Sequence, residues 1–297
     1  MGSYHLRPLF TEMERVERDG IYFYHFIPYP EVVYGTSYKN TTSDFNILKS
    51  VERVIIVGGG LSAWSYMLAM YAVSNGIPLV FSELAYSSFN LPLEVKFLKS
   101  SFLGEASMNY FLDRARGDGF SVDQFGELVC LGNPILDREY SITSAFDRSS
   151  RVLLLSTPER ESIDPLGILK SFGRWLDSQG YDVFVRAHPR EGRDYWSGFR
   201  LDSSLDIVSS AKNFEFAAGY LGSAFLITSH LGCKNIVIKD GRDLPSYLKS
   251  AVSFEINSEV DFELALSRAS ETPRDVSRFL NGEVLGSAER IVNFWIS

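Results

Sequence analysis

The sequence has few of the residues that build disulfide or metal scaffolds. Its 297 residues include two cysteines, Cys130 and Cys233, which lie in apolar stretches without a C-x-x-C pattern, and four histidines without metal-ligand spacing. Disulfide frameworks and zinc sites need recurring spacings of these residues. We therefore expect two buried free thiols, a reducing compartment and no bound metal.

Long continuous apolar runs, a leader pattern and basic blocks are also missing. No continuous run of apolar residues reaches the ~18 residues of a membrane span, and the first residues, MGSYHLRPLF, do not show a basic-then-apolar signal pattern. The net charge is −8, which disfavours a nucleic-acid partner. We expect a soluble cytoplasmic protein that can touch the inner face of a membrane without crossing it, and that holds any anionic ligand with local cations and backbone N–H groups.

Apolar runs alternate with helical patterns along a chain that is 45% hydrophobic. Strands are predicted at 53–60 and 77–83 around a helix at 61–76, and the pattern restarts with strands at 151–157 and 181–189. Strands that alternate with helices indicate α/β layers with parallel sheets. The fold class predicted is α/β, with two Rossmann-like domains and a cleft between them.

The domain boundary is predicted in a polar stretch near residue 145. Residues 1–145 then form an N-terminal domain on the acceptor side, and residues 146–297 form a nucleotide-binding domain. The remaining patterns predict a mainly helical stretch at 92–116, a strand at 204–209 and a closing helix at 276–295.

A triple glycine follows the first predicted strand. Gly58, Gly59 and Gly60 with Ala63 satisfy G-x-G-x-x-G/A between a strand and a helix, and Glu83 ends the next strand. This context is typical of dinucleotide binding, so an FAD- or NAD-dependent oxidoreductase is an alternative. The separation of the glycines from Glu83 exceeds the usual ~20 residues, and a tight strand-to-helix turn explains the same glycines.

A second motif ends the strand YDVFV. Arg186, His188, Pro189 and Arg190 follow it. Doubly wound folds bind ligands at the carboxyl ends of their strands, where a histidine can donate to a phosphate oxygen and an arginine can add a charge-assisted pair. The alternative is an ordinary surface turn.

A small pair of residues follows a later strand. Gly222 and Ser223 lie where GYLGSAFLITSHLG turns from strand to helix, and the first N–H groups of a helix can bind phosphate. Capping by Ser223 is the purely structural explanation. Together with the His-Pro turn, this pair predicts a clamp for the phosphates of a nucleotide.

With these motifs the chain resembles inverting GT-B transferases. Residues 150–257 are similar to the C-terminal domain of the bacterial sialyltransferase and polysialyltransferase group and of the CDP-glycerol glycerophosphotransferases, which carry a His-Pro motif and a later Ser/Thr pair. The stretch VLLLSTPERES resembles their opening strand and loop, and LGNPILD resembles the hinge turn of GT-B proteins, including UDP-sugar 2-epimerases.

The resemblance implies a function and a set of site residues. The implied activity is inverting, metal-independent transfer of a sugar from a CMP-, CDP- or UDP-linked donor to a glycan or lipid-linked glycan acceptor, in bacterial surface polysaccharide synthesis and without a further cofactor. The absence of a D-x-D triplet agrees with metal independence. The implied catalytic residues are Glu83 as general base and His188 at the donor phosphate. The implied donor-binding residues are Arg186, Pro189, Arg190, Gly222, Ser223, Thr157 and Arg160. A non-catalytic GT-B-like protein that binds a glycan remains a further alternative.

Overall fold

The chain folds into two compact units. The structure is a computed structural model that describes residues 7–23, 25–26, 41–42, 44–57, 63–83, 93–137, 148–156, 167–188, 193–204, 206–222, 224–239, 241, 244, 246–249, 251–269 and 281–297. Unit 1 comprises Met1–Glu139 with Asn281–Ser297, and unit 2 comprises Tyr140–Leu280.

Unit 1 is organised around a parallel sheet. Its elements up to the boundary are α1 (Arg7–Glu17), β1 (His25–Phe26), β2 (Thr41–Thr42), β3 (Val54–Val57), α2 (Ala63–Ser74), β4 (Leu79–Ser82), β5 (Lys99–Phe102), α3 (Glu105–Gly117) and β6 (Glu127–Cys130). In the described residues β3, β4, β5 and β6 pair in chain order, all parallel. Each strand therefore lies next to the strand that precedes it in the chain. Connections between parallel strands of one sheet are nearly always right-handed.

Strand β5 corrects the prediction of a mainly helical stretch at 92–116. Its sequence, KSSF, is polar, yet all four residues are buried. The Ser100 hydroxyl donates to the carbonyl of Phe125 at 2.7 Å, and the hydroxyls of Ser82 and Ser101 lie 2.7 Å apart. These bonds compensate the burial of the hydroxyls. Polar residues without alternation give no strand signal in the sequence.

Unit 2 is also organised around a parallel sheet. Its elements are β7 (Arg151–Leu155), α4 (Ile168–Ser178), β8 (Asp182–Arg186), β9 (Arg200–Leu201), α5 (Ile207–Ala211), β10 (Phe216–Tyr220), α6 (Ala224–His230), β11 (Lys234–Ile238), α7 (Ser246–Lys249), β12 (Phe254–Ile256) and α8 (Phe262–Ala269). In the described residues the order across the sheet is β12-β11-β10-β7-β8-β9, all parallel. The two units are each Rossmann-like, which confirms the predicted α/β fold class.

The core of unit 2 follows from apolar faces that meet across the sheet. Leu169, Phe172 and Leu176 of α4 pack with residues of β7 and β8 in one buried cluster.

The strand predicted at 204–209 is wrong, because Asp206 accepts a hydrogen bond from the Ser209 amide at 2.6 Å and caps α5 instead. An N-cap of this kind favours helix over strand. None of the helices in the described residues is long and apolar enough to span a membrane.

The C-terminal helix α9 (Ser287–Ile296) belongs to unit 1, although the sequence analysis assigned residues up to 297 to the second domain. Its apolar face packs against α1, where Ile291 and Trp295 share a buried cluster with Leu9 and Met13. Sequence periodicity shows that such a helix has an apolar face but does not say which partner covers that face.

A clamp of hydrogen bonds holds the returning chain against the end of β6. The Asn133 amide donates to Asn281 at 2.9 Å, and both side chains are buried. The Asp137 carboxylate accepts from the amides of Gly286 and Ala288 at the start of α9. A carboxylate at the amino end of a helix is favourable, so the predicted Gly-Asn-Pro turn ties the two chain passages of unit 1 together.

Candidate functional site

The carboxyl ends of three adjacent strands form the main candidate site, the carboxyl edge of unit 2. Strand β7 lies between β8 and β10, and Leu155 is in register with Arg186 on one side and with Gly219 on the other. Because neighbouring strands lie about 4.8 Å apart, the ends of β8 and β10 are separated by about 10 Å. The chain leaves β8 towards His188 and leaves β10 towards Gly222, so both predicted residues follow strands that end on the same side of one sheet.

The strand order also makes this edge a topological switch point. From β7 the chain proceeds outward to β8 and β9, then crosses to β10 on the opposite side of β7 and continues to β11 and β12. Open α/β sheets bind ligands at the carboxyl ends of strands where the order reverses. His188 and Gly222 are both half-buried, with part of their surface open to solvent.

Arg186 has an internal partner that the sequence analysis did not anticipate. Its Nη1 donates to Asp202 Oδ2 at 2.8 Å and to the Ser204 carbonyl at 3.1 Å. Burial alone would raise the pKa of Asp202, but hydrogen bonds from Ser204, Ser210 and Arg186 bring it below its ordinary value. The positive charge of Arg186 is therefore neutralised by the Asp202 carboxylate. Its contact with the nucleotide-sugar stays a prediction.

Several predicted residues lie outside the described part of the chain. These are Gly58, Gly59, Gly60, Thr157, Arg160, Pro189, Arg190 and Ser223. Their proposed roles stay predictions from the sequence.

Glu83 directly follows β4 at the carboxyl end of the sheet of unit 1. Its side chain is buried, at 5% exposure. Burial raises the pKa of its carboxyl group to about 7, and hydrogen bonds with the Ser107 hydroxyl and the Leu103 amide limit the rise. The Leu103 N–H donates to Oε2 at 3.4 Å. A carboxyl group that is half ionised near neutral pH is suited to proton transfer.

The direction of the Glu83 side chain bears on the dinucleotide alternative. Leu103 follows β5 and Ser107 lies in α3, whereas the glycine motif follows β3 on the other side of β4. In a dinucleotide site the acidic residue after the second strand has to reach a ribose held above the first strand. Glu83 instead forms hydrogen bonds to groups beside β5, on the far side of β4 from the glycine motif. This geometry disfavours the oxidoreductase hypothesis.

Two ionisable residues near Glu83, Cys130 and Glu105, lie at the surface. Cys130, at the end of β6, is exposed, which corrects the expectation that both thiols are buried, while Cys233 is buried as expected. Partial burial raises the pKa of Cys130 to about 11, and the carboxylates of Glu105 and Glu83 add to the rise. Glu105 is exposed in the first turn of α3, as expected of a helix-face charge.

An aromatic group beside the carboxyl edge was missed by the sequence analysis. The indole Nε1 of Trp196 donates to Ser156 Oγ at 3.1 Å, directly after β7. The Tyr195 ring packs edge-on against Trp196 with centroids 5.3 Å apart, and the Lys170 ammonium lies 3.5 Å from the Tyr195 centroid. Lys170 is one of two cations on an amphipathic helix, the other being Arg174, and no local pattern in the sequence distinguishes between them.

Comparison with known proteins gives a fold. The sequence matches no protein-family profile and no curated protein. Among solved structures it is similar to Methanocaldococcus jannaschii UDP-GlcNAc 2-epimerase in complex with UDP-GlcNAc and UDP, with TM-score 0.64, 14% identity, and coverage of 99% of this chain and 96% of the other. It is also similar to S. aureus MnaA with UDP, with TM-score 0.63, 12% identity and coverage of 98% and 92%.

A third similar structure is UDP-GlcNAc 2-epimerase from Neisseria meningitidis bound to UDP-GlcNAc, with TM-score 0.56, 14% identity and coverage of 84% and 78%. At these identities the likeness establishes the fold, which is GT-B-like with two Rossmann-like units. Membership of the sialyltransferase or CDP-glycerol groups stays a prediction.

Proposed function

We propose that the protein is an enzyme acting on a nucleotide-activated sugar, and that it transfers the sugar to a glycan acceptor. The observation that carries the proposal is the carboxyl edge of unit 2, where His188 and Gly222 follow the two strands that flank β7 at the switch point. This is the position at which doubly wound sheets bind phosphorylated ligands. The UDP and UDP-GlcNAc named in the similar structures support a pyrimidine nucleotide as the carrier.

In the proposed reaction Glu83 is the general base. Its carboxylate accepts the proton of an acceptor hydroxyl while that oxygen forms a bond to the anomeric carbon of the donor. The bond from this carbon to the phosphate oxygen breaks, its electron pair leaves with the nucleotide, and the configuration inverts because attack and departure take place on opposite faces. A pKa of about 7 leaves a large fraction of Glu83 ionised at neutral pH.

His188 is proposed to stabilise the departing phosphate. A hydrogen bond from its imidazole meets the negative charge that grows on the leaving oxygen, and donors fixed in place before the reaction are the most effective. Backbone N–H groups after β10, beginning near Gly222, provide further donors in the proposal. Neutralisation by protein groups leaves the proposed transfer independent of a divalent ion.

Epimerisation of a UDP-sugar is a second candidate, favoured by similar structures that are named as UDP-GlcNAc 2-epimerases and that match more than nine-tenths of this chain. Proton NMR of UDP-GlcNAc incubated with the protein alone separates the two. Transfer leaves the configuration at carbon 2 unchanged with or without an acceptor, because it makes and breaks bonds only at the anomeric carbon. A change at carbon 2 without any acceptor would replace transfer by epimerisation as the assigned reaction.

We expect His188→Ala to weaken nucleotide binding. Loss of a hydrogen bond to a charged group is worth roughly 1.5–3 kcal/mol, and this corresponds to an increase in Kd of about 10- to 100-fold. The measurement is a thermal-shift titration of the full chain with UDP, CDP and CMP, followed by calorimetry with the nucleotide that stabilises most.

His230→Ala is the matched control for that experiment. His230 is the last residue of α6. Because a crossover helix runs antiparallel to its strands, His230 lies towards the amino ends of the strands, away from His188. We expect its replacement to leave Kd unchanged. Equal affinity in wild type and His188→Ala, or stabilisation only by FAD or NAD, would refute the proposed site.

A further inference from the structure

We propose that Lys170 is the cation that binds a phosphate group of the nucleotide at the carboxyl edge of unit 2, and that Tyr195 positions its ammonium group. The inference rests on the proposed function, and it assigns to Lys170 the charge that the sequence analysis assigned to an arginine of the His-Pro motif, Arg186 or Arg190. Lys170 and Tyr195 are 25 residues apart in the sequence, and neither belongs to a motif named above.

A chain of contacts connects Lys170 to the end of β7. Ser156 directly follows β7, and its hydroxyl accepts the hydrogen bond of the buried Trp196 indole at 3.1 Å. Tyr195 packs edge-on against that indole. The Lys170 ammonium lies 3.5 Å from the Tyr195 ring centroid and 5.5 Å from that of Trp196. Lys170 is therefore held beside the strand that lies between the His188 and Gly222 strands.

The position of Lys170 on its helix agrees with this placement. It lies in the first turn of α4, which starts at Ile168 after the chain leaves β7. The first turn of a crossover helix is the turn nearest to the carboxyl ends of the strands. The following turns pack down along the sheet through Phe172 and Leu176.

The balance of charge distinguishes Lys170 from Arg186. Arg186 donates to Asp202, whose side chain is 6% exposed, so this pair is internally neutral. Lys234, at the start of β11, is likewise paired with Glu215 at 2.6 Å. Within the described ranges, no carboxylate lies within salt-bridge distance of Lys170. Its positive charge is balanced there only by the faces of aromatic rings.

An aromatic partner suits a cation that has to bind an anion. The ring holds the ammonium electrostatically through its face, but it takes up none of the three N–H donors in strong charge-assisted bonds. A phosphate oxygen forms such bonds and so outcompetes the ring as a partner. Tyr195 is 37% exposed and Lys170 is half-buried, so an anion can reach the ammonium from solvent.

The test measures binding of UDP and of inorganic pyrophosphate to the full chain by calorimetry at two salt concentrations. We expect Lys170→Gln to raise the Kd of both ligands about tenfold or more and to reduce the salt dependence of the Kd, while the weaker binding of uridine is unchanged. Arg174→Gln is the matched control, since it removes one charge from an exposed position one turn further along the same helix, and we expect no change.

The role of Tyr195 is tested by two substitutions. Tyr195→Phe keeps the ring face and should keep wild-type affinity, whereas Tyr195→Leu removes it and should raise the Kd for UDP several-fold. A purely structural role for the ring would lower thermal stability in Tyr195→Leu without changing the ratio of UDP to uridine affinity.

The outcomes separate this inference from the proposed function. If UDP binds and His188→Ala weakens binding but Lys170→Gln does not, Lys170 is not the phosphate cation and the proposed function stands. If the wild type binds none of UDP, CDP, CMP and pyrophosphate, both proposals are overturned. A loss of affinity in Lys170→Gln that is equal for UDP and uridine would also refute a phosphate contact.

Discussion

Glu83→Gln is expected to make the protein more stable above neutral pH and to reduce turnover about 10²- to 10⁴-fold, the range typical of a lost general base. Both effects have one origin, which is the burial that raises the pKa of this carboxyl group to about 7. Glutamine has the shape of the protonated acid, but it neither ionises nor accepts a proton. The substitution therefore removes the cost of a buried charge together with the base.

The stability effect depends on pH in a defined direction. In the unfolded chain the group ionises at its ordinary value of 4.5, and in the folded chain at about 7. Below 4.5 both states are protonated and the wild type has no penalty. As the pH rises from 4.5 to 7 the unfolded state releases its proton first, and the free energy of unfolding falls by roughly 3 kcal/mol in total. Above 7 the penalty is constant.

Thermal unfolding of Glu83→Gln and wild type should therefore coincide near pH 4 and differ most near pH 8, with the variant more stable. Glu105→Gln is the matched control, because it removes an exposed carboxylate from the first turn of α3. It should lose only the helix-dipole contribution of about 0.3–1 kcal/mol and should leave turnover unchanged. In the wild type the acid limb of the kcat/KM profile, which reports groups of the free enzyme, should show an apparent pKa near 7. A variant that keeps full turnover, or that is equally destabilised at both pH values, would show that Glu83 is a structural residue.

Gly132→Ala is expected to destabilise the protein by about 3 kcal/mol or more. Gly132 adopts φ of +95°, where a side chain costs roughly 1–2 kcal/mol. A Cβ atom there would also collide with the backbone carbonyl of Glu283 and approach the Ser287 Cβ to 2.9 Å. Because Glu283 and Ser287 belong to the segment that Asn133 and Asp137 hold in place, relief of the collision would break the clamp of unit 1.

Gly180→Ala is the matched substitution for Gly132→Ala. Gly180 has φ of +85°, similar to that of Gly132, but a Cβ atom there meets nothing within 4 Å. We expect it to lose only the conformational term of roughly 1–2 kcal/mol. Differential scanning calorimetry of the full chain compares the two. Equal losses would mean that the contact between the end of β6 and the returning chain adds nothing to stability.

The sequence predicted the parts of the fold that are encoded by apolar patterns. The apolar runs that become β3, β4, β7 and β8 were found with their helices, because buried parallel strands are continuously hydrophobic. Strand β5 was missed because the signal for a buried KSSF strand is a set of hydrogen-bond partners that lie elsewhere in the chain. The packing of α9 on unit 1 was missed for the same reason, since its partner α1 is at the other end of the sequence.

In the candidate site, too, residues that follow a strand could be predicted from the sequence, whereas contacts between distant residues could not. Glu83 and His188 were predicted because each lies shortly after a strand that the pattern reveals, and their roles stay predictions. The pairing of Arg186 with Asp202 depends on where β9 returns beside β8. The contact of Lys170 with Tyr195 depends on how the turn after β8 packs on α4. Both arise from tertiary packing, which local pattern does not specify.

The most direct test of the proposed nucleotide site is amide hydrogen exchange of the full chain with and without saturating UDP. Exchange reports which backbone segments a ligand protects. We predict slowed exchange in peptides that contain the end of β8 near His188 and the end of β10 near Gly222, with peptides from β3 and α2 unchanged. Protection confined to the segment between β3 and α2 would instead place the nucleotide at the glycine motif of unit 1 and contradict a phosphate site in unit 2.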